Sequence, residues 1–191
     1  MVTAEITLKA IWDFLSPVFG DKLKDSLKKK DSSDIAKKRT YKLYKALGDV
    51  KVRTFDFITA LRLYASLLEQ HASPEQLKEC KDSLYDRTDE MMAVIAEMMD
   101  ALDELSPQLE IHDYPLYQTI AYFKGGREAY GITDAWSGEE FQAALEDAEA
   151  GYPDQLNAIV AQEEQNYHSI DQCLADFRVF IQKEVPFKEG F

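Results

Sequence analysis

Two long stretches of this chain carry apolar residues at alternating steps of four and three, a spacing that commits them to helices packed along other helices. The first stripe runs Leu77, Lys81, Leu84, Thr88, Met91, Ile95, Met98, Leu102, Leu105. The second runs Leu156, Val160, Glu163, Tyr167, Ile170, Leu174, Phe177, Ile181, with one carboxylate in its seam. Neither rod can hide its stripe alone, so the two are expected to lie face to face with Met91 and Ile170 away from water. A seam of this kind describes how a molecule holds together and names no substrate.

Composition agrees with an all-α fold. The 191 residues suffice for one well-buried core, and we expect a single helical domain over 1–191 in which 1–30 form a separable amphipathic and basic segment. A hydrophobic content of 46% beside 30% charged residues is that of a globular chain rather than a disordered one. Glycine (8) and proline (6) are scarce, and no long run alternates apolar with polar residues, so a sheet has little to be built from. The expected architecture is an elongated antiparallel helical bundle. Its two long rods span about 74–105 and 153–184, with shorter supporting helices at about 33–48, 54–71 and 138–150.

Local signals place these boundaries. In Ser73-Pro74-Glu75-Gln76 the serine can cap the backbone amide three residues on, proline suits the first helical position, and Gln76 completes a capping box. Ser106 and Pro107 interrupt the rod that starts there. Gly48 reads as a left-handed helix terminator, with Thr54 or a neighbour opening the next helix. Ser137 and Glu140 form a second capping box, Gly151-Tyr152-Pro153 separates the last two helices, and the tail from Pro186 should fray.

Charge is unevenly distributed. Residues 1–62 hold 14 Lys and Arg against 8 Asp and Glu, whereas residues 63–191 hold 8 against 27, within a net charge of −13. Packing of the basic first third against the acidic remainder accounts for this without any partner; a basic patch meeting an anionic surface is the alternative. The two cysteines, Cys80 and Cys173, show no zinc-ligand spacing. They are expected as reduced thiols in a cytoplasmic protein, with a disulfide as the alternative if the two rods run antiparallel with level ends. Neither a leader peptide nor a membrane span is expected, because Lys9 and Asp13 break the apolar stretch from Ile6 to Phe19.

Several chemistries are disfavoured. A dinuclear metal site in a bundle uses Glu-x-x-His pairs, and none occurs: Gln165, Leu68 and Leu109 stand three before His168, His71 and His112. Glu164 and His168 can pair at one helical turn, which leaves a metal short of ligands. His71 suits a helix C-terminus, where the dipole favours a cation. No phosphate loop or dinucleotide fingerprint is present. No catalytic residue, metal or cofactor is therefore assigned.

Two regions carry functional expectations. His112, Asp113, Tyr114, Tyr117, Lys124, Arg127 and Trp136 fall in a glycine- and aromatic-rich stretch that can line a small-ligand pocket, although Asp113 suits a helix cap and the aromatics can equally plug a bundle end. An amphipathic segment over about residues 3–18 presents Trp12 and Phe14 and is followed by Lys22, Lys24, Lys28, Lys29 and Lys30. Docking of that segment onto the body is the primary expectation, and contact with an anionic membrane the alternative. Nucleic acid is not expected, since the lysines lack a reading motif and the acidic remainder repels a polyanion. The leading expectation is a non-enzymatic helical interaction or adaptor protein that binds another protein, with homodimerisation open. A peripheral membrane protein anchored through residues 3–30, and a small-ligand receptor or enzyme at 112–136, are the alternatives.

Overall fold

The reciprocal bonds anticipated at Ser73 are present: the Ser73 amide donates to Gln76 Oε1 at 3.0 Å, and the Gln76 amide donates to Ser73 Oγ at 3.3 Å. They open one of four helices in a computed structural model that describes residues 34–104 and 139–184. These are α1 (Asp34–Glu69), α2 (Pro74–Asp103), α3 (Glu139–Glu149) and α4 (Asp154–Glu184). No strand occurs among the described residues. The described residues form an all-α helical bundle, and α2 and α4 are the two rods marked by the heptad stripes.

The largest departure from expectation is α1. Its 36 residues run unbroken where two short helices were expected at 33–48 and 54–71. Gly48 lies inside the helix with open space where a Cβ would project, so no close approach demands a glycine there. Thr54 is buried mid-helix, its hydroxyl donating at 2.9 Å to the Val50 carbonyl one turn back. The helix continues because Leu43, Leu47, Val50, Phe57, Leu61 and Tyr64 form one buried stripe across the glycine. An interior glycine costs only about 1 kcal/mol, well below the burial of such a stripe.

The α1 C-terminus turns at His71, which adopts φ 54°. The Ala72 amide donates to the Leu67 carbonyl at 3.0 Å and the His71 amide to Leu68 at 3.1 Å, a Schellman closure. The same closure ends α3, where the left-handed residue is Gly151 at φ 94° and the Tyr152 amide reaches the Asp147 carbonyl at 2.8 Å.

Side-chain pairs fix the directions. Lys42 bonds Glu104 and Arg53 bonds Glu90, so α2 runs antiparallel to α1. Tyr44 packs on Phe177, Lys51 bonds Asp171 and Arg62 bonds Glu164, so α4 also runs antiparallel to α1. The two rods therefore run in the same direction. They do not zip chiefly onto each other: α1 packs most extensively with α2 and next with α4, while α3 packs on α4 and α1. Met91 and Ile170 are hidden as expected, at 0% and 4% exposure, within a core cluster drawn from all four helices.

These registers rule out the disulfide. Cys80 lies level with about residue 65 of α1 and Cys173 level with about residue 49, roughly 24 Å apart along the axis at 1.5 Å per residue. Neither cysteine is in a disulfide; Cys80 is buried and Cys173 partly so.

Candidate functional site

The sequence-predicted site residues lie outside the described residues. This holds for His112, Asp113, Tyr114, Tyr117, Lys124, Arg127 and Trp136, and for Trp12, Phe14, Lys22, Lys24, Lys28, Lys29 and Lys30. What the structure offers instead is one surface and one buried cluster, both on elements that sequence reasoning treated as scaffold.

The surface is the outward side of α1. At 100° per residue, Val52, Phe55, Thr59 and Leu63 point roughly half a turn away from the buried stripe centred on Val50, Phe57 and Leu61. Val52 is 55% exposed, Phe55 53% and Leu63 55%. A bundle helix ordinarily turns a polar face to water, and single exposed apolar residues need no explanation. Three on one line, over about 17 Å of helix, make a continuous strip. Phe55 extends it sideways onto α4, its ring 5.8 Å from that of Tyr167. Lys51 stands over the same tyrosine at 5.3 Å.

Ion pairs border the strip. On the α4 side lie Lys51 with Asp171, and Arg62 with Glu164 at 2.5 Å. On the α2 side Arg53 bonds Asp56 at 3.3 Å and Glu90 at 3.0 Å, and Arg87 joins the same Glu90 oxygen. The hydrogen bond from Lys51 holds the Asp171 carboxyl below its ordinary range. The cations of α1 thus meet the carboxylates of both rods, which is the internal charge pairing anticipated from the sequence. Each exposed pair contributes little to stability, about 0 to 1 kcal/mol. Farther round, α2 turns Glu75, Glu79, Asp82, Asp86, Asp89, Glu97 and Asp100 to solvent, none of them ion-paired among the described residues.

The buried cluster sits on α4. Glu163 is 1% exposed; Asn166 Nδ2 donates to its Oε1 at 3.0 Å, and Gln162 Nε2 donates to Asn166 Oδ1 at 3.2 Å. Glu163 Oε2 has no hydrogen-bond partner. Burial pushes this carboxyl up to about 8, against the lowering effect of the Asn166 bond, so it is protonated at neutral pH. Glu164 is engaged by Arg62 and not by His168, which is exposed, its ring 5.8 Å from that of Tyr167 and inclined to it at 68°. No group of three His, Cys, Asp or Glu residues among the described residues is placed to hold a metal ion.

A third polar group fastens α3 to the bundle. Tyr64, buried on α1, donates to Glu149, and Lys81 donates to the same oxygen at 3.0 Å. Burial raises the Glu149 carboxyl, but the bonds from Tyr64 and Lys81 outweigh it and leave the group below its usual value. The Tyr64 phenol is raised by burial and then by Glu149, and stays protonated. This is a structural clasp.

The signal that could have found the α1 strip is the spacing Val52, Phe55, Thr59, Leu63, which becomes visible once 34–69 is read as one helix with its core on the opposite side. No described helix is long and apolar enough to cross a membrane. Comparison with protein-family models, with curated proteins and with solved structures finds no match.

Proposed function

We propose that this chain is a non-enzymatic interaction or adaptor protein of the cytoplasm, and that its partner is another protein which lays an amphipathic helix along the outward strip of α1. The observation that carries this reading is the line Val52, Phe55, Leu63, each about half exposed and directly opposite the core side of the same helix. Helix-in-groove recognition uses anchors at this spacing, and the border of side chains from α4 gives the strip one raised edge at Tyr167. Two cysteines outside any disulfide suit a reducing compartment. The solvent-facing carboxylates of α2 favour a partner with cations beside its apolar face.

Affinity capture with the wild type and with Phe55→Asp/Leu63→Asp tests this. Both positions are exposed, so the variant folds, which circular dichroism verifies; Val179→Asp, at an exposed site on α4, serves as the control. Partners should fall on the order of tenfold or more in the double variant and be unchanged in the control, as expected when interface anchors are lost. Equal recovery from all three proteins would remove the strip as the interface. Sedimentation of the purified chain separates a second copy, the competing occupant, from a different partner.

A further inference from the structure

We infer that the outward face of α4 pairs with the same face of a second copy of this chain, the two helices running antiparallel about a two-fold axis at His168. The inference takes nothing from the α1 strip, which lies on another helix.

At 100° per residue, Ala158, Ala161, Gln165, His168, Gln172, Ala175 and Val179 fall opposite the buried side of α4 centred on Glu163, Ile170 and Ile181. All seven are exposed, and they recur at alternating steps of three and four over about 32 Å of helix. None is Asp, Glu, Lys or Arg, in a chain of which 30% is charged and whose net charge is −13. A helix face turned only to water ordinarily carries charge, as that of α2 does. On α4, charge enters the line only at Asp154, one step beyond its N-terminal end.

The order of side chains makes the face its own complement. Reversed about His168, Ala161 meets Ala175, Gln165 meets Gln172 and Ala158 meets Val179, which is the condition for an isologous contact. Alanine against alanine on both sides of the axis lets the helices approach to about 8 Å, the near end of helix spacing. The amides match as well. Gln172 Nε2 donates to Asp176 Oδ1 at 3.2 Å, which leaves its Oε1 to accept. Gln165 makes no side-chain bond among the described residues, which leaves its amide to donate across the axis. At the ends of the face Val179, 49% exposed, covers the alanine of the other copy.

Charge selects a second copy as the occupant. In an antiparallel pair each border meets its own counterpart, and on the α1 side the border carboxylates Glu164 and Asp171 are already paired with Arg62 and Lys51. On the other side stand Gln162, Ser169 and Asp176, the last bonded by Gln172. Two chains of net charge −13 can therefore touch here, whereas the solvent-facing carboxylates of α2 would repel their own copies. The face offers neither lysine nor arginine to an anionic membrane, and no large apolar anchor besides Val179. One helix pair of this length lies at the low end of interface sizes, so the dimer is a weak one.

Sedimentation equilibrium of the pure full chain tests this, at about 10 to 500 µM to suit a weak complex. The wild type should pass from monomer toward dimer with a Kd on the order of 100 µM or tighter. Ala161→Arg/Ala175→Arg, with its helical fold verified by circular dichroism, should raise Kd on the order of tenfold or more by setting arginine against arginine. Phe55→Asp/Leu63→Asp should leave self-association unchanged. In a Cys173→Ser background, His168→Cys should form a 168-to-168 disulfide under mild oxidation on the order of tenfold faster than Ala158→Cys, whose own counterpart stands about 31 Å away in this register. A wild type monomeric throughout, a dimer retained in Ala161→Arg/Ala175→Arg, a dimer lost in Phe55→Asp/Leu63→Asp, or equal linkage at 158 and 168 overturns the inference. Val179→Asp keeps it distinct from the partner reading: self-association should weaken while capture through the α1 strip stays unchanged.

Discussion

At the scale of single residues, the two that break local rules are Glu163 and His71. Glu163 interrupts the α4 seam with a carboxyl that the fold keeps protonated, pushed up to about 8 from an ordinary 4.5. Between those pH values the folded chain holds a proton here that the unfolded chain has released. The stabilisation at this position is therefore full below about 4.5, declines as pH rises, and is lost above about 8. Glu163→Gln keeps the acceptor for Asn166 and removes the titration. Denaturant unfolding should show the variant equal to wild type near pH 4.5 and more stable at pH 7 by up to about 3 kcal/mol. Equal stability at both pH values would show that the carboxyl ionises freely. His71 holds the left-handed position that Gly151 holds at the end of α3, with a β-carbon to accommodate. His71→Gly should raise unfolding free energy by roughly 0.5 to 1 kcal/mol, the left-handed cost less the added freedom of the unfolded chain. Sequence reading placed His71 at a helix end through the dipole; the backbone geometry is the stronger fact.

At the scale of elements, local chemistry was legible where it acted alone. The start of α2 follows from Ser73 and Gln76 because the bonds that make it lie within four residues. Gly48 and Thr54 misled for the complementary reason: each carries a boundary signal, and the buried stripe from Leu43 to Tyr64 overrides both. If that account is right, Gly48→Ala should stabilise the protein by about 0.5 to 1 kcal/mol in thermal or chemical unfolding, since the added methyl meets open space. A destabilised variant would mean that the glycine serves a conformation other than straight helix. Reading 34–69 as two pieces also concealed the strip, because its four positions straddle the supposed start of the second piece.

At the scale of the whole molecule, α1 is the element against which the two rods are organised, and α3 joins by a short aromatic contact. Phe141, 1% exposed, sits 5.9 Å from the ring of Phe57 and 6.4 Å from that of Tyr85. Phe141→Ala should cost about 3 to 5 kcal/mol in equilibrium unfolding. Retention of full stability would show α3 to be dispensable to the core. By itself the sequence determined the helical class, the span of both rods and the hiding of Met91 and Ile170, because apolar period and capping are written over a few residues and a backbone hydrogen bond reaches only one turn. Only the tertiary structure decided that 34–69 is continuous, that it lies against both rods and sets them running in one direction, that the thiols stand far apart, and that Val52, Phe55 and Leu63 face outward. Those outcomes depend on which stripe buries against which, a choice made by summed contacts between residues 37 to 133 positions apart, which no local pattern carries.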